Sequence, residues 1–148
     1  MAQPFDASLA DVAENCVCAH LRRAARAVTN TYDEALRPLG LRATQMTLLV
    51  GLAHFDQVSF SRLGSVLAMD RTTLTRNIGP LEREGLLEIA SDRDDARRKL
   101  LRLTPRGRET LRAALPIWRK VQRQALSKLG DAQWKAIRQR LAVLEDDA

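Results

Sequence analysis

The chain has two cysteines, two histidines and seven glycines in 148 residues, and each scarcity removes a class of function. Cys16 and Cys18, one residue apart, make no disulfide framework of the secreted kind. His20 and His54 stand in no recognisable acid, base or ligand motif, and no glycine-rich phosphate loop is present, so no catalytic constellation, metal site or cofactor site is expected. The longest apolar runs, such as Met46–Ala53, are far too short to span a bilayer. The first residues, MAQPFDASLADVAEN, carry neither a basic segment nor an apolar one, so a signal peptide is not expected. The expectation is a soluble cytoplasmic protein with no membrane partner.

What is abundant is positive charge. The formal net charge is +6, from 24 Lys and Arg against 18 Asp and Glu. Between Ser91 and Arg123 there are 11 Lys or Arg against 4 Asp or Glu, so this segment carries the whole excess. Such a surface favours a polyanionic partner or simply aids solubility.

The pattern along the chain is mostly helical. A first helix, capped by Asp6 or Ser8, is expected to run to about Arg37, with Val17, Leu21, Ala24, Val28 and Ala35 forming one narrow apolar stripe. Arg42–Phe55 reads as a second helix, and Ser59 can cap a third over Phe60–Leu67. Ala68–Asp70 is a tight turn with Asp70 as N-cap of the next helix, which makes a helix-turn-helix. Leu86–Ala90 and Lys99–Leu103 are strand candidates flanking a polar tip, a hairpin. Thr104–Pro105 starts a long helix expected to bend at Pro116, and Asp131 caps a last one reaching about Leu144. The fold class expected is mainly α with a small β-hairpin wing: a winged helix-turn-helix with helical extensions at both ends.

This order makes the run DRTTLTRNIGPLEREGLLEIASDRDDARRKLLRLTPRGR (Asp70–Arg108) intelligible. The first turn of a recognition helix points into the major groove, where short polar side chains reach base edges. Arg71 and Arg76 suit guanine or phosphate, Asn77 suits adenine, and Thr72, Thr73 and Thr75 offer hydroxyls or methyls. Arg93, Arg97 and Arg98 at the hairpin tip suit the minor groove, with Asp95 expected to orient Arg97 through a charge-assisted bond. The implied partner is double-stranded DNA.

The sequence resembles the MarR family of transcription regulators over nearly its whole length. Gly85, Leu86, Asp92, Asp95, Arg97, Leu103, Thr104 and Gly107 are similar to the family's wing pattern, and LGLRATQ (Leu39–Gln45) and VSFSRLGSVLAMDRTTLTR (Val58–Arg76) to its second helix and helix-turn-helix. The resemblance implies a homodimer on a pseudo-palindromic operator, mostly repressing. Residues 1–37 and 105–148 would dimerise, 38–104 would bind DNA, and a small-molecule effector or oxidant would release it. One departure is Gly79–Pro80 inside the recognition helix, where proline should kink it or end its DNA-reading half near Ile78.

The sensor is less legible. Residues two apart on a helix point about 200° apart, so a Cys16–Cys18 disulfide requires that turn to unwind, and both thiols otherwise read as small packing residues. Cys16 and His20 share a face, but two ligands make a poor metal site. Cys18 and Tyr32, thirteen residues between them, are similar to the first helix of the family's organic-hydroperoxide-sensing branch, where the matching cysteine is peroxidatic. Tyr32 lies roughly 21 Å along the helix from Cys18, so it could meet only the other subunit's thiol. Other tyrosines of that branch are absent, with Arg22 and Ala43 in their places. An organic acid or acyl thioester is the other effector class, with Arg22, Arg23 or His54 to meet an anion. The alternatives, a thiol-based peroxide-reactive protein or a non-specific architectural DNA binder, leave the wing or the base-reading helix unexplained.

Overall fold

Helix α3 (Ala43–Ala53) is rich in apolar residues, and Gln45, Met46, Leu48, Leu49, Gly51 and Leu52 are buried, so the rest of the chain assembles about it. The structure, a computed structural model, describes residues 7–92, 95 and 97–145. Helices α1 (Ala7–Asn15) and α2 (Val17–Leu36) lead in, followed by a 3-10 turn over Arg37–Leu39. A two-residue strand β1 (Val58–Ser59) precedes α4 (Phe60–Val66) and α5 (Arg71–Arg83). Strands β2 (Leu87–Ser91) and β3 (Lys99–Leu103) form the hairpin, and α6 (Pro105–Leu129) and α7 (Asp131–Glu145) close the chain. The fold is a winged helix-turn-helix between terminal helices, as expected.

The sheet has the order β1-β3-β2, all antiparallel. Leu87 faces Leu103 and Ile89 faces Leu101, with Val58 also opposite Leu101. Alternation turns these side chains to the core and leaves Glu88 paired with Arg102 on the outer face, where the carboxylate accepts from the guanidinium. Strand β1 was not foreseen, because two residues are too few to show a period of two.

The core is built mostly of leucine: Leu36, Leu48, Leu49, Leu63, Leu81 and Leu101 are fully buried. The three helix starts expected from cap residues in the winged helix hold. Ser59 accepts from the Arg62 N–H at 3.3 Å, Asp70 from the Thr73 N–H at 2.8 Å, and Thr104 from the Gly107 N–H at 3.0 Å.

One expectation is corrected, and two helices keep a proline inside them. The first helix is two helices, because Cys16 is extended (φ −63°, ψ 109°) and stops α1. Helix α5 runs unbroken through Pro80; Gly79, having no Cβ, relieves the usual clash before a proline ring, and Ile78 and Leu81 anchor both sides in the core. Helix α6 likewise continues through Pro116, on an exposed face. The expected cap Asp6 lies outside the described residues.

Leu9, Val12, Val17, Leu21 and Val28 on α1 and α2, with Ile137, Val143 and Leu144 on α7, remain exposed in the single chain. No helix is long and apolar enough to cross a membrane, among the described residues.

Candidate nucleic-acid interface

Helix α5 is fixed from both ends, and that decides which of its polar side chains are available. Asp70 accepts both the backbone N–H of Thr73 at 2.8 Å and its hydroxyl at 2.7 Å. These bonds, the backbone one foremost, hold the Asp70 carboxyl below its usual range. Asn77 donates its amide to the Thr73 carbonyl at 2.8 Å and is half-buried. Thr73 and Asn77 are thus bonded within the helix, and the expected Asn77–adenine pair would have to share or give up the bond to the Thr73 carbonyl. Arg71, Thr72, Thr75 and Arg76 are exposed, at positions i, i+1, i+4 and i+5 of one helix face.

The wing is held by backbone bonds across its neck. Asp92 N–H donates to the Arg98 carbonyl and Arg98 N–H to the Asp95 carbonyl, both at 2.9 Å. The Asp95 carboxylate accepts the backbone N–H of Arg97 at 3.0 Å. Asp95 thus shapes the turn that carries Arg97, where the expectation was a bond to its guanidinium. Arg98 lies 3.9 Å from the Asp92 carboxylate, a long pair on a largely exposed side chain, and Lys99 donates to Ser91 at 2.9 Å. Arg97, Arg98 and Lys99 are exposed; Arg93 lies outside the described residues.

Helix and wing meet over an open cleft of about 680 Å³. Arg71 and Thr75 of α5 line one side, Arg97, Arg98 and Lys99 the other, and Ser59, Ser61 and Ser65 the end formed by α4 and its cap. Cations and hydroxyls from recognition helix, wing and α4 thus share one concavity with Phe60, Met69 and Leu74, and its charged side chains suit a phosphate backbone. Sequence reasoning missed the serines and Lys99; Ser61, in the first turn of a short amphipathic helix, reads from sequence as an ordinary solvated residue.

The motif GL…LTPRG has a different role. Thr104 donates its hydroxyl to the Gly85 carbonyl at 2.6 Å, and its N–H reaches the Leu86 carbonyl at 3.2 Å. Gly85 has φ +69°, a conformation that favours glycine, and a Cβ on Gly107 would sit 1.9 Å from the Leu86 carbonyl oxygen. The end of α5, the start of β2 and the first turn of α6 are locked together there, setting the angle between recognition helix and wing.

The proposed sensor residues fall in two places. At the α1–α2 break, ψ of 109° at Cys16 removes the Glu14 carbonyl from its helical donor, and His20 takes that role through Nε2 at 2.6 Å. Since a carbonyl only accepts, Nε2 carries the proton and Nδ1 accepts from Arg23 at 3.1 Å. Cys16 is half-buried and Cys18 exposed, both free thiols. About one turn from the C-terminus of α2, Tyr32 donates to Gln122 of α6 at 2.7 Å, and burial pushes its phenol pKa up, so it keeps its proton at neutral pH. Tyr32 lines a second open cavity of about 450 Å³ between α2, α3 and α6. Arg22, Arg23 and His54, expected to meet an anion, are exposed and do not line it. Among the described residues no three His, Cys, Asp or Glu side chains gather as a cation site.

Comparison with known proteins gives the following. A family model described as the MarR family matches residues 39–98. The M. tuberculosis transcriptional regulator MosR, solved in complex with DNA, is 38% identical with a TM-score of 0.81, over 90% of this chain and 96% of that one. Bordetella bronchiseptica BpsR, whose DNA binding is regulated by 6-hydroxynicotinic acid, is 26% identical with a TM-score of 0.80, over 88% of this chain and 93% of that one. The organic hydroperoxide resistance transcriptional regulator of Bacillus subtilis is 29% identical over 94 residues, 64% of each protein. A second curated regulator of that organism is matched over 46% of its length.

Proposed function

The chain belongs to the MarR family, and from that premise we propose that it is a sequence-specific DNA-binding transcription regulator. It acts as a homodimer on a pseudo-palindromic operator, as a repressor that an effector releases, and has no enzymatic role. The observation that carries this is the cleft joining Arg71 and Thr75 of the recognition helix to Arg97 and Arg98 of the wing. A cationic surface alone would suit any DNA; an exposed Arg71-Thr72-x-x-Thr75-Arg76 face on a rigidly capped helix adds groups that read base edges. The apolar faces of α1, α2 and α7, unpartnered within one chain, supply the dimer contact across a two-fold axis, with residues 1–37 and 105–148 around a DNA-binding unit of 38–104.

The test is fluorescence anisotropy with the DNA upstream of the coding sequence against random duplex, at fixed salt. Specific binding should be at least about 10³-fold tighter. Equal affinity for both would make the protein an architectural binder.

Oxidant release is a second mode, favoured by the break at Cys16. Cys16 itself already departs from helical geometry at that turn, while its N–H and carbonyl keep bonds to Val12 and His20, so less of the helix has to unwind for it to meet Cys18. A hydroperoxide oxidises one thiolate to a sulfenic acid, releasing an alcohol, and the second thiol condenses with it to a disulfide and water. Peroxide-treated protein should lose operator binding and two free thiols per chain, with dithiothreitol restoring both; a Cys18→Ser protein that still responds would end this mode.

A further inference from the structure

The first turn of α3 is capped from another helix. Its N-cap position holds Arg42, extended and exposed, and an arginine side chain has no acceptor to offer. The acceptor for the Ala43 N–H comes from ten residues back, where Asp33, half-buried near the end of α2, takes it on Oδ1 at 2.7 Å. Between the two run the 3-10 turn Arg37–Leu39 and Gly40 in the left-handed conformation. Among the described residues this is the one side-chain hydrogen bond between residues 7–37 and the winged helix 38–104. The rest of that junction is apolar, with Leu36 and Leu41 buried. Apolar packing is non-directional, so it resists separation more than rolling. A carboxylate on an oriented N–H at the positive end of a helix fixes an angle as well.

That angle reaches the DNA-reading groups. Helix α3 packs on α5 and β3, and Leu48, Leu49 and Leu52 share one core with Leu74, Ile78, Leu81 and Leu101, so recognition helix and wing move with α3. Helix α2 is itself held, because the residue before Asp33, Tyr32, donates to Gln122 of α6. We propose that Asp33 is a positioning residue that sets the distance between the two recognition helices of the dimer, and with it the half-site spacing the protein accepts. The proposal rests on the regulator assignment and its homodimer. A rotation of about 10° moves a group about 20 Å from the pivot, within the size of a small domain, by about 3.5 Å, close to one base-pair rise. Two-fold symmetry applies the same rotation to both lobes, so the mismatch approaches two base pairs on a site whose half-sites must match the dimer's own spacing.

The test compares the parent with Asp33→Ala and Asp33→Asn by fluorescence anisotropy on three duplexes: the operator found in the upstream DNA, and the same operator with one base pair inserted or removed between half-sites. The parent should lose about tenfold or more on either altered spacing. Asp33→Ala should bind all three within about threefold of one another, by losing affinity on the native spacing. Asp33→Asn keeps an oxygen that accepts the Ala43 N–H and should retain the parent's preference. A loss of stability alone would weaken binding at every spacing alike. Double electron–electron resonance between nitroxides on Glu82→Cys, exposed near the end of α5, reads the same geometry without DNA in a Cys16→Ser, Cys18→Ser protein. The expected result is one narrow distance for the parent and Asp33→Asn, and a broadened or shifted one for Asp33→Ala. Asp33→Ala with the parent's spacing preference or distance, or Asp33→Asn as relaxed as the alanine variant, would overturn the role of Asp33. A parent that binds no DNA, or all DNA alike, overturns the regulator assignment alone, since the distance measurement still decides the role of Asp33. A monomeric parent overturns both.

Discussion

Replacing Thr104 with valine removes one oxygen and keeps the shape, and that oxygen makes two bonds at the junction of recognition helix, wing and α6. It accepts the Gly107 N–H at 3.0 Å and donates to the Gly85 carbonyl at 2.6 Å. Loss of an N-cap costs about 1 kcal/mol, and an orphaned carbonyl in a half-buried site about 1–3 kcal/mol more. The expected destabilisation is therefore about 2–4 kcal/mol. For a chain of this length that lowers the melting temperature by roughly 5–15 °C, measured by circular dichroism at one protein concentration because the dimer equilibrium shifts it otherwise. DNA affinity should fall even at 25 °C, where the variant is still folded. Strand β3 extends from this junction at roughly 3.3 Å per residue, so a tilt of about 10° displaces the Arg97–Arg98 turn by about 3 Å. Thr104→Ser keeps both bonds and should behave as the parent. A valine variant that melts within about 1 °C of the parent, or a serine variant as damaged as valine, would refute the role assigned to this hydroxyl.

On α5, Arg76→Ala should cost about 1–3 kcal/mol on operator DNA and relax one base position, whereas Asn77→Ala should leave base preference unchanged, because its amide is spent on the Thr73 carbonyl. Competition binding against a randomised operator pool reads both, and a new preference in Asn77→Ala would restore the adenine contact. Arg97→Ala should lower the slope of log affinity against log salt by about one for each phosphate that Arg97 neutralises. Asp95→Ala should also weaken binding by loosening the turn, although it removes a negative charge; tighter binding would make the tip a diffuse charge surface. For pH, Asp70 has its folded carboxyl below the usual value, so its contribution is present above the unfolded value of about 3.9 and is lost as pH falls from there toward the folded value. Asp70→Asn should accordingly flatten the acid limb of the stability curve below pH about 4, and an unchanged limb in that variant would assign acid sensitivity to other groups.

What could be read from residue order was whatever depends on local backbone chemistry. Ser59, Asp70 and Thr104 each announce a helix start because a short side-chain oxygen is needed where backbone N–H groups lack partners, and strand β3 runs over the predicted residues. The residues whose role residue order leaves open are those with two possible partners. Asn77 could face a base or its own helix, and the choice depends on how α5 is rolled against the core by Leu74, Ile78 and Leu81. Asp95 could hold a guanidinium or a backbone N–H, and a tight turn brings the N–H two residues away within reach first. The break at Cys16 is invisible to periodicity, because residues 7–36 keep good helix formers on both sides and the compensating bond comes from a side chain four residues on.

The same distinction separates the wing motif from the DNA-reading face. Gly85, Leu86, Thr104 and Gly107 are constrained by their mutual contacts: a positive φ, a carbonyl that must be capped and a position with no room for a Cβ. None of those constraints involves DNA. Arg71, Thr72, Thr75 and Arg76 are exposed, and the fold leaves them free to vary with the operator. Recognising the pattern therefore establishes how the helix is aimed, while the base sequence it meets is written only in the side chains that the fold does not constrain. Exchanging those four residues for the corresponding residues of another member, with the Gly85–Gly107 junction untouched, should transfer operator preference without changing melting temperature by more than about 2 °C. If such an exchange leaves the preferred operator unchanged, specificity resides in DNA shape read by the wing.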